Sequence, residues 1–291
     1  MTQTTAVPPS EPLAITDLTR AVVYPESPRW HADRIWFSDV HDYTIKTIDL
    51  AGAIEVIAAV PGRPAGIGVL PDAGVLMATA LDAKLNRVVA GSVIEVADLA
   101  PLVSGLLNDM IVDSRGRAYV GDTGFRPGIG EAEGAGRLVC WSEGGSARVV
   151  AEDLAFPNGL AITDDNTVLY VAETRGQRIT RFAVTEDGSL EARTTVAELE
   201  CRPDGICLDE AGALWVAATR AGKFLRLSPA GEILMEIPSP GATAVACVFV
   251  GAERDDLLLC SADTTPERLG RGISNGRMDL VHPGRKGAGR P

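Results

Sequence analysis

Short apolar runs recur along the chain, each following a polar turn rich in Asp, Asn and Gly. The runs are Ile35–Asp39, Val75–Thr79, Ala118–Asp122, Val168–Ala172, Leu214–Ala218 and Leu257–Ser261. The turns include Pro71–Gly74, Asp113–Gly116, Asp164–Asn166 and Asp209–Gly212, residue types that accept the left-handed backbone angles of tight hairpins. Between the main runs, Thr44–Leu50, Arg178–Val184 and Lys223–Leu227 alternate apolar and polar residues at the strand period. No long amphipathic helical pattern interrupts them. Successive main runs lie roughly 40 to 50 residues apart, the size of a small β-unit. Six units of about 48 residues, four strands each, predict an all-β six-bladed β-propeller. A β-sandwich is the competing architecture, and the regular repeat disfavours it.

The pattern divides the chain into a polar, Pro-rich tail over 1–15, one propeller over 16–284, and a basic, Gly-rich tail over 285–291 that reads as frayed. Closing the ring requires a terminal strand, for which Thr19–Val23 and Arg277–Val281 are the candidates.

Composition narrows the function. With 291 residues, 46% apolar and 23% charged, the chain can bury a core without disulfides or metal. Its 27 basic and 39 acidic residues give a net charge of −12 and form no basic stripe. Nucleic acid and anionic membrane are therefore poor partners, and the charge mildly favours cations. Five scattered cysteines without a CxxC pair read as reduced, buried thiols. Met1–Leu13 lacks the pattern of a signal peptide, and no apolar run approaches about 18 residues, so a cytoplasmic location is expected. The oligomeric state is left open.

Three histidines, His31, His41 and His282, never fall at HxxxH or HExxH spacing, which argues against a histidine-rich zinc site. Gly272–Gly276 matches G-x-S-x-G, but no buried strand precedes it and no helix follows, so it is not read as a nucleophile elbow. The Gly-rich strings 128–134 and 270–276 lack phosphate-loop spacing and read as flexible loops. Glu131 and Glu133 read as a solvated loop face, the four tryptophans as blade packing, and His31 as surface.

Four motifs recur in phase with the repeat: Tyr24–Trp30, Leu107–Met110, Phe156–Leu160 and Arg202–Ile206. A propeller channel gathers such motifs from distant repeats. Among them Glu26, Asn158 and Asp204 offer only oxygen donors, which suits Ca²⁺, Mg²⁺ or Mn²⁺; Zn²⁺ more often recruits His or Cys but also accepts carboxylates. Singly, Pro-Asn-Gly and Pro-Asp-Gly are common turn sequences. Their recurrence is what marks them.

In order and spacing, Glu26-Ser27-Pro28-Arg29-Trp30, Asn108-Asp109 with Asp113-x-x-Gly116-Arg117, Pro157–Ala161 with Leu169–Glu173, and Pro203-Asp204-Gly205 resemble the senescence marker protein/gluconolactonase family, which includes regucalcin. Cys247 ahead of Val250-Gly251 also fits, and the similarity runs from about Tyr24 to Val281. The resemblance implies a six-bladed propeller with a central metal site holding one divalent ion, Ca²⁺ first, with Zn²⁺, Mg²⁺ or Mn²⁺ as alternatives. It implies Glu26, Asn158 and Asp204 as ligands, Asn108 as a contact to substrate or bound water, and Asp204 as general base or water-orienting residue. The reaction it implies is hydrolysis of a small-molecule substrate, a lactone or related ester.

Two departures matter. Leu106 stands where the sugar-lactonase branch has an Arg, which points away from a simple aldonolactone and towards a less polar lactone, ester or enol. Met110 stands where Gly is common. The segment Thr123–Arg137 resembles the family's lid loop, which makes Phe125 and Arg126 candidate substrate contacts; the alternative is a solvated loop. Asp122, closing its strand, is a candidate channel-facing residue. Rival readings are an isomerase- or lyase-type reaction through an enolate, phosphotriester hydrolysis, or a non-catalytic metal-binding propeller.

Overall fold

The computed structural model describes residues 13–127 and 129–290. Most of the expected N-terminal tail, residues 1–12, lies outside the described residues. The fold is a six-bladed propeller of antiparallel sheets. Blade 1 consists of Pro25–His31, Arg34–Asp39, Thr44–Ile48 and Ile54–Ala59. Blade 2 starts at Pro64–Val69, blade 3 at Leu107–Val112, blade 4 at Pro157–Ile162 and blade 5 at Arg202–Asp209. Blade 6 joins Thr243–Val250, Asp256–Asp263 and Asn275–Val281 to Ile15–Val22, so both candidate closing segments take part, paired with each other. Each apolar run of the repeat forms the second strand of its blade.

Burial follows position in the blade. Val75–Thr79 is buried throughout, whereas the outermost strand of the same blade, Ser92–Asp98, is largely exposed. Six apolar clusters fill the six interfaces between neighbouring blades; Ile35, Phe37 and Val248, for example, close the ring between blades 1 and 6. The innermost strands pack each against the next around the whole ring.

In every blade the ladder between the first and second strands slips near its start, as between Pro157 and Leu160 and between Pro203 and Ile206. Such bulges re-aim side chains. They fall on the recurring motifs, so Pro-Asn-Gly and Pro-Asp-Gly belong to innermost strands and are not turns. Their glycines permit close approach of backbones. A Cβ on Gly159 would stand 2.4 Å from the Asp204 carbonyl oxygen, and one on Gly205 would stand 2.6 Å from Ala246 Cα. Gly205→Ala must push blades 5 and 6 apart. We expect a loss of about 1–3 kcal/mol, read as a lower Tm; unchanged melting would show that the inner strands can spread freely.

The C-terminal segment is not frayed. Gly287–Ala288 forms a fifth strand on blade 5, pairing with Asp209 and Leu208. Gly289 N–H donates to Asp164 at 3.1 Å, and Gly287 N–H donates to the Arg254 carbonyl at 2.7 Å. The segment thus ties blades 4, 5 and 6 together at the ends of their innermost strands, opposite the recurring motifs. Its glycines, read from sequence as a sign of fraying, fit it against Phe249 and the Ile162 carbonyl.

Candidate metal centre

Glu26, Asn108, Asn158 and Asp204 all sit near the start of an innermost strand, in blades 1, 3, 4 and 5. The ring geometry therefore brings them to one end of the channel. Asp204 is 5% exposed, and its Oδ1 is buried with no hydrogen-bond partner among the described residues. Burial, then the Asp109 carboxylate, pushes its pKa up from 3.8 to about 8, against a lowering by the Asn158 amide. Glu26 is pushed up by burial first, then by Asp204 and Asp109, with the Ser27 N–H and Arg29 acting the other way.

Asp109 is the third carboxylate of the centre. It accepts from the Ser27 hydroxyl, from Arg29 Nη2 at 3.0 Å and from its neighbour's N–H at 2.8 Å. Buried Asp109 and Asp204 and half-buried Glu26 face one buried guanidinium, Arg29, so the ionised cluster carries a formal charge of −2. Buried charge of one sign is unfavourable unless compensated. An oxygen-only donor set, an orphaned carboxylate oxygen and two excess negative charges fit a hard divalent cation. Glu26, Asn158 and Asp204 are the side chains free to hold it.

The structure also orients the neighbours. Asn158 Nδ2 donates to Thr174 Oγ1 at 3.1 Å, and Thr174 in turn donates to the Pro203 carbonyl at 2.7 Å. Asn108, half-buried, donates one N–H to the Pro157 carbonyl at 3.2 Å, which leaves its second N–H available.

Other sequence candidates fall elsewhere. Asp122 does not face the channel: its carboxylate is fully buried and accepts from the N–H groups of Ser104, Gly105 and Gly124. Asp39 and Glu173 close the same strand in blades 1 and 4 and anchor loops in the same way. That repetition is a structural signature the sequence already carried. Leu106 is 8% exposed and packs in the interface of blades 2 and 3. Phe125 is buried edge-on against Phe156, with ring centroids 5.7 Å apart. Arg126 is exposed, and its backbone N–H donates to Glu131 within the lid loop.

Sequence reasoning overlooked four side chains. Tyr24 is buried beside the acids; burial, then Asp204 and Glu26, raise its pKa, so it stays protonated. His41 meets it edge-on at 5.4 Å and is kept from protonating chiefly by burial. Arg175 stands over both Phe125 and Phe156, at 5.8 and 6.0 Å from their centroids, and lines with them an open cavity of about 210 Å³. Phe156 has a left-handed backbone, φ 64°. Tyr24 and Phe156 open recurring motifs, and His41 and Arg175 lie two positions past the strand ends at Asp39 and Glu173, places that become the channel mouth only once the ring closes. A separate group, half-buried Asp255 and Asp256 with exposed His282, has no buried unpartnered oxygen.

The family model for the SMP-30/gluconolactonase/LRE-like region matches residues 24–263. The chain belongs to this family. A pentonolactonase from Haloferax volcanii is 27% identical over 245 residues, 81% of each chain. A 6-deoxy-6-sulfogluconolactonase from Pseudomonas putida is 33% identical over 159 residues, 53% of each chain. Among solved structures, the calcium-binding protein regucalcin from Agrobacterium tumefaciens superposes with a TM-score of 0.78 at 19% identity, covering 96% of both chains, a likeness of fold. The match spans the strands that carry Glu26, Asn108, Asn158 and Asp204.

Proposed function

We propose that this chain is a divalent-cation-dependent lactonase, with the cation held by Glu26, Asn158 and Asp204. The observation that carries the reading is the cluster of three carboxylates, two of them buried and Glu26 half-buried, against one guanidinium, with an unpartnered Asp204 oxygen, at the channel end opposite the C-terminal segment. Relatives named for lactone hydrolysis support the reaction class. The oxygen donors favour Ca²⁺ first, with Mg²⁺, Mn²⁺ and Zn²⁺ as alternatives.

When bound, a cation polarises the lactone carbonyl and makes water more acidic. Asp204 accepts the proton of the attacking water and passes it to the ring oxygen as the acyl C–O bond breaks. The product is a hydroxy acid, whose carboxyl then releases one proton at neutral pH. The spare N–H of Asn108 and the protonated Tyr24 phenol supply hydrogen-bond donors to substrate oxygens. Leu106 puts no cation at its position, so a simple aldonolactone is not the expected substrate.

Five free cysteines fit a reducing compartment, the cytoplasm. No helix among the described residues is long and apolar enough to cross a membrane.

The test is proton release from a panel of sugar, aliphatic and acid-bearing lactones, using metal-stripped protein and each of the four cations in turn. Cation-restored hydrolysis, weakest on simple sugar lactones, is expected. A preference for simple sugar lactones would reverse the reading of Leu106. No hydrolysis of any lactone would reject the lactonase.

A further inference from the structure

The channel mouth carries positive charge that the rest of the molecule does not explain. Arg202 begins the innermost strand of blade 5, two residues before Asp204. Its partner across the ladder is Thr219, which places Arg220 beside it. Arg175 follows Thr174, whose hydroxyl joins Asn158 to Pro203. All three guanidinium-bearing residues therefore belong to the same end of blades 4 and 5. Arg175 pairs with Glu133 of the lid loop at 3.0 Å. Among the described residues, Arg202 and Arg220 have no carboxylate within 4.0 Å. Across the mouth, Arg63 occupies the position in blade 2 equivalent to Phe156 in blade 4, and its Nε is buried without a partner.

In a chain with a net charge of −12, unpaired arginines gathered beside a buried acidic centre need a physical reason. Packing does not supply it, because Arg220 is exposed. Arg175 and Arg220 both act on Arg202 as like charges, and an anion entering among them relieves that repulsion. The guanidinium fork matches a carboxylate in geometry as well as charge. The cavity beside Arg175, lined by Phe125, Phe156, Leu154 and Ala155 and also by the acids Glu133 and Asp153, offers apolar surface for a carbon skeleton.

We propose that Arg202 and Arg220, with Arg175, form an anion subsite, so that the substrate is a lactone bearing a carboxylate or similar anionic substituent. The inference rests on the lactonase reading for the nature of the ring, and on the arginines alone for the charge. The anionic group docks on blades 4 and 5 while the lactone carbonyl lies over Glu26, Asn158 and Asp204. This also accounts for the loss of a cation at Leu106: the guanidinium function is supplied from other blades.

The experiment compares a γ-lactone carrying a carboxylate with its primary amide, on cation-loaded wild type, Arg220→Met and Arg220→Lys. In wild type the carboxylate should be favoured in kcat/KM by at least about tenfold. The ratio should shrink with added salt, collapse in Arg220→Met and largely return in Arg220→Lys. Equal handling of the two lactones, or a ratio indifferent to Arg220→Met, overturns the anion subsite and leaves the lactonase standing. Both compounds are also titrated calorimetrically against the same proteins. Should neither be hydrolysed, tighter Arg220-dependent binding of the carboxylate supports the subsite and rejects the lactonase. Equal binding, or none, overturns the subsite.

Discussion

Asp204→Asn is expected to reduce lactone turnover by on the order of 10³-fold or more and to make the metal-free protein more stable. The first effect follows from two roles lost together: a charged ligand and a proton acceptor. The second follows from electrostatics. Asp204 is buried beside Asp109 and Glu26, one of its oxygens has no partner, and its pKa stands near 8. Near and above that pH the wild type must hold a repelling carboxylate out of water; an amide of the same shape removes the charge. Cation binding should weaken by at least about tenfold, because affinity follows ligand charge. Turnover comes from lactone-driven proton release, and stability from thermal melting of stripped protein. A variant that loses activity and stability together would mean that Asp204 serves the fold and not the site.

The second large effect concerns pH. Glu26 and Asp204 both have folded pKa values raised above their unfolded ones. The folded, metal-free protein therefore binds protons more tightly than the unfolded chain. The stabilisation these groups confer is complete below the unfolded values near 4 and is lost as pH rises, for Asp204 through about 8, with a slope of about 1.4 kcal/mol per pH unit for each proton taken up; Glu26 acts in the same direction. Acids with lowered values, such as Glu173 and Asp42, act in the opposite direction, and only below pH 4 or so. A bound cation replaces the protons, so its apparent affinity should rise with pH up to about 8, and its binding at pH 7 should release protons. The check is melting of stripped and Ca²⁺-loaded protein from pH 5 to 9. The gap between the two curves should widen with pH. A constant gap would show that these two carboxylates do not meet the cation.

Much of this was legible in the sequence because repetition encodes it. The apolar runs became the second strands of all six blades. Glu26, Asn158 and Asp204 share one place in the repeat, near the start of an innermost strand, which is why the sequence marks them together. What escaped depended on contacts between blades. Asp122 was read as channel-facing because it ends a strand at the right place, yet the backbone N–H groups of the preceding loop claim its oxygens, as they do at Asp39. Leu106 was read as a substrate contact, and the structure buries it between blades because a large apolar side chain there gains more from the interface than from the channel. The tail at 285–291 looked frayed by composition, but its glycines are what let it lie against Phe249 and Ile162. Tyr24 opened a recurring motif and Arg175 lay outside all of them; only closure of the ring brings Tyr24 to the acids and Arg175 over Phe125 and Phe156.

The most direct measurement counts cations against turnover. Metal-stripped protein is titrated with Ca²⁺ while proton release from a lactone substrate is followed, in wild type and Asp204→Asn. The expected result is no hydrolysis at the start, a rise that saturates at one ion per chain, and no such rise in the variant. Hydrolysis indifferent to stripping, or an equal rise in Asp204→Asn, would contradict a cation held by Glu26, Asn158 and Asp204 as the centre of the reaction.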